Sequence, residues 1–350
     1  MKGNPSIHGR GSNYNPKNRF ERIERVPEPP EPDEISSPKT QFLPDTSRSI
    51  IAYNDSPDVG FAASINPYRG CEHGCVYCYA RPTHEYLGFS AGLDFETKIM
   101  VKERAPELLR NELSGRAWNP QVLAMSGVTD CYQPIESKLR LTRRCLEVLL
   151  EFRNPVVIVT KNHLVTRDID LLSELARYQC AAVITSLTTL DAQLASLMEP
   201  RASRPARRLA AISALSDAGI PIGFMQAPMI PGLTDSEAPA IAKAAARAGA
   251  TFGSYVPLRL PYAVKSLFEK WLEEHYPERK KKVLGRIRAI RGGGLNDPNF
   301  HSRMRGEGIF AEQMERLFRL GCKKAGIENR RPQLSTDHFR RPVSCQLDLF

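Results

Sequence analysis

The chain has 350 residues, 41% of them hydrophobic and 25% charged, with 49 basic against 39 acidic side chains for a formal net charge of +10. That apolar share at that length can fill a complete core, which excludes a chain disordered throughout, and no uncharged apolar run is long enough for a membrane helix. Eight cysteines behind an N-terminus without a signal-like apolar segment suggest reduced thiols in a cytoplasm, and the basic excess suits a polyanionic partner.

Residues 1–55 are rich in Pro, Asn, Ser and charge and show no apolar period, so a disordered arm is expected there. Its first half carries Lys2, Arg10, Lys17, Arg19, Arg22 and Arg25, and 26–34 (VPEPPEPDE) is proline-rich and acidic. Such an arm either tracks a phosphate backbone or stays a solvated tail on a stiff linker. From 56 to 260 short apolar runs alternate with helical periods. The runs 61–68, 123–126, 156–161, 181–187, 220–227 and 252–258 read as buried strands, each bounded by Gly, Pro or polar residues. Between them, Leu141, Cys145, Val148, Leu149 and Phe152 fall on one helical face, as do Leu209, Ile212 and Leu215. Strands alternating with helices of this size imply parallel βαβ units in an α/β fold, with function gathered at the carboxyl ends of the strands.

The first strand runs into Cys71-Glu72-His73-Gly74-Cys75-Val76-Tyr77-Cys78, three thiols spaced C-x3-C-x2-C. Gly70 and Gly74 give this loop the freedom to wrap around one soft metal centre. A fourth thiolate is missing. Three readings are open: a zinc site completed by His73 or His84, cysteines that only pack, or a 4Fe–4S cluster whose fourth iron stays free for a cofactor. The missing ligand favours the last.

The other strand ends are polar: 126–136 (SGVTDCYQPIE), 160–163 (TKNH), 185–188 (TSLT) and 226–235 (QAPMIPGLTD). The C-x3-C-x-aromatic-C spacing, with Tyr77 before the third cysteine and Tyr79 after it, resembles the radical S-adenosylmethionine (SAM) family. The loop GCxxGCxYCYAR followed by TD-x-YQP-x-E, VTK and QAPMIPGLTD resembles, from 65 to 258, that family's spore photoproduct lyase-related group, also called DNA repair photolyase-like. Within it the match is to bacterial members described only as radical SAM proteins. The resemblance implies a partial (β/α)6 barrel with Cys71, Cys75 and Cys78 holding the cluster and SAM chelating the open iron. Reductive cleavage would then give methionine and a 5′-deoxyadenosyl radical, with an electron donor such as flavodoxin or ferredoxin. Tyr77 would lie near the adenine, Ser126 in the SAM pocket, Lys161 against the SAM carboxylate, Ser186 on a ribose hydroxyl and Ala227 on the adenine edge through its backbone.

The sequence also departs from that group. Spore photoproduct lyase returns a hydrogen from a cysteine after its second strand, and the S-x-x-x-D frame puts Gly127 at that place. Cys131, four residues on, is a substitute donor if it lies at the mouth, or a replacement without a role. Tyr79 is the other candidate relay, or packs. Radical generation is therefore carried over and thymine-dimer repair is not, leaving DNA or another nucleic acid as the expected substrate. Two alternatives remain: radical modification of protein or RNA, and a zinc-stabilised nucleic-acid adaptor without catalysis.

Past the barrel, 261–329 reads as a basic helical extension. Val264–His275 is amphipathic, and Arg279, Lys280, Lys281, Lys282, Arg286, Arg288 and Arg291 either line a nucleic-acid groove or form a solvated face paired with the acidic run 269–278. A last helix over 308–325 is expected to pack Ile309, Met314, Leu317 and Phe318 on the barrel. The tail, 330–350, is expected to be flexible and ends in Gln346, Leu347, Asp348, Leu349 and Phe350. This QLDLF matches the peptide by which bacterial repair and replication proteins dock on the sliding clamp, the amide anchoring one end and the apolar side chains filling a pocket.

Overall fold

Runs of β-branched and apolar residues set the strands, because such side chains pack well on a pleated, buried surface. In the computed structural model, which describes residues 7–21, 38–327 and 332–342, the strands are β1 (Gln41–Pro44), β2 (Ile51–Tyr53), β3 (Ala63–Ile65), β4 (Tyr68–Arg69) and β5 (Lys98–Val101), then β6 (Leu123–Met125), β7 (Val156–Thr160), β8 (Ala181–Ser186), β9 (Ile222–Met229) and β10 (Phe252–Pro257). The main sheet runs β10-β9-β8-β7-β6-β3-β2, parallel throughout except that β2 pairs antiparallel with β3 at one edge. Its six parallel strands and their helices form the expected partial barrel. The run 61–68 splits into β3 and β4, and the fifth run starts at Ile222 because Pro221 has no N–H to give to the ladder.

The helix Leu141–Phe152 buries Leu141, Cys145, Val148, Leu149 and Phe152, all five of the expected face. Gly308–Ala325 covers the outer side of β9 and β10, with the Phe318 ring centroid 5.7 Å from Phe224 and 4.9 Å from Tyr255. Gly321 lets it approach the neighbouring helix, Ala238–Arg247, since a Cβ there would come within 2.7 Å of the Pro239 Cα. Met314 and Phe318 are buried as expected; Ile309, at the helix start, is exposed.

Two stretches of the N-terminal 55 residues, expected to be disordered, are packed. β1 pairs with β5 in a small sheet with β4. Residues 7–21 are held by polar contacts that leave no hydrophobic period: Arg10 donates to the Glu96 and Pro38 carbonyls, Ser90 Oγ to the Pro16 carbonyl, and Asn18 to the Glu85 and Phe89 carbonyls. The helices Val264–His275 and Pro277–Ala289 bury Phe268, Trp271 and Ile287 in one cluster with Cys75, Val76 and Tyr77. Part of the basic run is structural. Arg291 is buried, and Lys280, Arg286 and Arg288 face Glu273, Asp235 and Glu269.

β2–β3 at one edge and β10 at the other do not pair. The loop between β2 and β3 instead meets the segment 296–305: the His301 N–H donates to Asp58 Oδ1 at 2.6 Å, and Arg303 pairs with Asp58 and donates to Ser56 Oγ.

Candidate active site at the mouth of the barrel

The cysteine loop leaves the carboxyl end of β3 by way of β4 and is clamped from the neighbouring strand end. Thr129 Oγ1 donates to the Tyr68 carbonyl, Gln133 donates to the Gly70 carbonyl and accepts from the Glu72 N–H, and Glu136 accepts from the Tyr68 hydroxyl. Asp130 accepts from His73 Nδ1 at 3.3 Å and from the N–H groups of Lys161 and Tyr132. Burial opposes the Asp130 charge, but those partners outweigh it and hold the carboxyl down at about 2. The polar TD-x-YQP-x-E segment thus positions the loop. From below, the buried Arg81 guanidinium donates to the carbonyls of Gly74, Cys75, Ala91 and Gly92 and pairs with Glu96, whose other oxygen accepts from the Gly11 N–H.

Cys71, Cys75 and Cys78 are free thiols inside this frame. Burial pushes all three up, Cys75 to about 12; Cys75 and Cys78 further raise Cys71, and Cys78 raises Cys75, while Lys161 favours the Cys75 and Cys78 thiolates. Of the two histidines considered as a fourth ligand, His73 has both ring nitrogens engaged, whereas His84 keeps a buried Nδ1 without a hydrogen-bond partner. His73 Nδ1 is on Asp130 and its Nε2 accepts from Asn162, and His84 Nε2 donates to the Lys98 carbonyl while its ring packs against Phe89 and Phe95.

Register decides which side chains face the lumen. Ser64, Ala124, Val157 and Ala182 lie side by side on one face, and Ser186 is beside Met225. Counting in twos brings Ser126, Lys161, Ser186 and Ala227 to that same face at the strand ends. The opposite face, with Ile158 and Phe224, is buried beneath the helices. Val157, Val159, Met225 and Ala227 are only half-buried, so the lumen is not packed solid. At its rim Lys161 Nζ donates to the Ala227 carbonyl at 3.4 Å and lies 5.9 Å from the Tyr77 ring centroid. The Tyr77 hydroxyl meets Glu199 and Thr188, and Glu199 is paired with the buried Arg208, which in turn donates to the Ser186 carbonyl. Burial opposes the Glu199 charge, but Arg208 and Lys161 bring the carboxyl down to about 2.

A model of the radical SAM superfamily matches residues 65–245. The chain belongs to the radical SAM superfamily. Superfamily members use a 4Fe–4S cluster and SAM, and these are the cofactors of this chain. An uncharacterised protein of Mycobacterium tuberculosis is 36% identical over 248 residues, covering 70% of this chain and 72% of that protein. One from Methanocaldococcus jannaschii is 29% identical over 222 residues, covering 61% of this chain and 76% of that protein. The fold is that of spore photoproduct lyase, solved in complex with dinucleoside spore photoproduct: TM-score 0.57 at 17% identity, over 82% of this chain and 80% of that one.

The residues of this radical SAM chain fit those cofactors. The donor set is three free soft thiols within eight residues of one loop, not drawn together around a single ion among the described residues, and the half-filled lumen beside them offers an ammonium, a hydroxyl and a backbone carbonyl on one face. Ser126 Oγ already accepts from the Cys131 N–H at 2.8 Å. Cys131 itself does not reach the mouth. It is 1% exposed and belongs to the core, because the turn that aims Asp130 at His73 sends the next side chain inward. Tyr79 is half-exposed, and its hydroxyl donates to the Gly127 carbonyl at 2.6 Å, at the position where the lyase resemblance expects a cysteine. Gln346, Leu347, Leu349 and Phe350 lie outside the described residues. Sequence reasoning missed Glu96, Glu199 and Arg208, which carry no local signal, and quoted Arg81 in the cysteine motif without giving it a role. Thr188 stood in a noted polar rim without a role.

Proposed function

We propose that this radical SAM enzyme acts on nucleic acid with lyase-like repair chemistry. The observation that carries the reading is at the mouth, where the exposed Tyr79 ring, its hydroxyl on the Gly127 carbonyl, has the Arg259 guanidinium 5.7 Å from its centroid. A ring for a base beside a cation for a phosphate suits an unpaired strand. The fold shared with a lyase solved with a dinucleoside supports it.

In this reading Cys71, Cys75 and Cys78 hold the cluster, which with bound SAM supplies a 5′-deoxyadenosyl radical for hydrogen abstraction. Lys161 meets the SAM carboxylate through a charge-assisted hydrogen bond, Ser126 and Ser186 line the pocket, Ala227 and Tyr77 flank the adenine, and the buried Glu199–Arg208 pair fixes the Tyr77 hydroxyl. Tyr79 replaces Cys131 as the residue nearest the reacting radical. Flavodoxin or ferredoxin delivers the electron, and 346–350 recruits the enzyme to the sliding clamp in a cytoplasm.

The test is 5′-deoxyadenosine formation by anaerobically loaded protein with reductant and SAM, compared across DNA, tRNA and protein fractions. Stimulation by DNA is expected. Stimulation by the protein or tRNA fraction alone would move the substrate to the alternative class, and zinc without iron or sulfide in anaerobically purified protein would end the catalytic reading.

A further inference from the structure

The arginines at the open side of the barrel differ in how their donors are used. Arg291 spends both Nη atoms on the carbonyls of Pro257, Leu258, Ser302 and Arg303 and leaves only its buried Nε without a partner. Arg303 pairs with Asp58 and donates to Ser56. Arg259, just beyond β10, makes no ion pair among the described residues. Its Nη1 reaches the thioether of Met304 at 3.4 Å, a poor acceptor, and its Nε is buried with no hydrogen-bond partner. Burial and the charge of Arg303 oppose the Arg259 cation and outweigh the favourable Tyr79, Asp58 and Asp297, yet a guanidinium does not give up its proton in a protein. A partly desolvated cation with unused donors among other cations is costly in the free protein, and an oxyanion would relieve that cost.

The location says which oxyanion. β10 is the edge strand, three places along the sheet from β7, whose end carries Lys161. Arg259 therefore stands at the edge of the barrel beside the segment 296–305, and its guanidinium lies over the half-exposed Tyr79 ring, whose hydroxyl reaches the Gly127 carbonyl at the mouth. His301 and Arg305 extend the exposed basic edge. A cation fork next to a free aromatic face matches a phosphodiester with its adjoining base better than a carboxylate on a folded protein surface.

We propose that Arg259, with the Tyr79 ring beside it, is the subsite for a backbone phosphodiester of the substrate strand at the open side of the barrel. The assignment rests on the nucleic-acid reading above and adds the group that orients the strand toward the radical site.

The test is fluorescence anisotropy of a labelled single-stranded oligodeoxynucleotide with the loaded, full-length protein, over a salt series. Arg259→Gln should weaken Kd about ten-fold, as for a lost hydrogen bond to a charged group, and lower the salt slope by about 0.7, as for one phosphate on a single strand. Lys243→Gln, an exposed charge on the Ala238–Arg247 helix, should change neither. Thermal melting separates a binding role from a structural one, because loss of an unpaired cation should not lower Tm. Equal Kd and equal slope for wild type and Arg259→Gln would overturn the subsite and leave the nucleic-acid reading standing. A lower Tm in Arg259→Gln would make Arg259 structural and likewise overturn the subsite. No oligonucleotide binding by the wild type, with or without Arg259-dependent binding of an acidic peptide, would overturn both.

Discussion

Arg81 spends all five of its N–H donors, four on backbone carbonyls and one on Glu96, so the segment bearing the three cysteines is tied to 91–96 at a single buried point. Replacing it with methionine keeps the bulk but strands the Glu96 carboxylate, which burial already pushes toward its neutral form. Breaking a buried pair from one side costs about 3–5 kcal/mol. Arg81→Met should therefore lower Tm and reduce iron and sulfide bound per chain, measured by melting and by metal analysis. Arg81→Met, Glu96→Gln should recover part of the melting loss, since it removes the stranded charge. Position 259 holds the same side chain under the reverse condition, with donors unspent, which is why one arginine is read as scaffold and the other as a contact for substrate.

At the scale of elements, packing against distant partners decides more than local propensity. Gly321 sits where the helix Gly308–Ala325 crosses Pro239, and Gly321→Leu should force the two apart, costing about 1–3 kcal/mol by overpacking. Iron loading should stay unchanged, because this crossing lies on the outer side of β9 and β10; melting together with iron analysis checks both halves. The core strands and the Leu141–Phe152 face were legible because β-branched runs and the 3.6-residue period are written locally. Lys161, Ser186 and Ala227 were legible as strand-end residues of a known motif. The clamp formed by Thr129, Asp130, Gln133 and Glu136 was not, because its partners lie about sixty residues away and polar contacts leave no period. The same reason hid the packing of residues 7–21. The inward turn of Cys131 was illegible for another reason: in a short loop a single position of phase decides between core and mouth, and composition does not record it.

For the whole molecule, the helices after β10 are part of one body with the cysteine loop, since Phe268, Trp271 and Ile287 share a cluster with Val76 and Tyr77. The basic charge is then divided: some arginines, such as Arg81, Arg208 and Arg291, are consumed inside, and others are exposed over the surface. The terminal QLDLF stands apart from that body in sequence. Removing 346–350 should abolish binding to the sliding clamp while leaving 5′-deoxyadenosine formation at the wild-type rate, as measured by surface plasmon resonance and by chromatography of the turnover mixture. Unchanged clamp affinity would remove the recruitment role.

The strand of chain around Gly11 lies directly on the cysteine loop: a side chain there would begin 1.7 Å from the Gly74 carbonyl oxygen, and the Gly11 N–H is bonded to Glu96. Any side chain at position 11 would push this segment off the loop, so the close fit of the arm against the cysteine loop rests on the one residue type that has none.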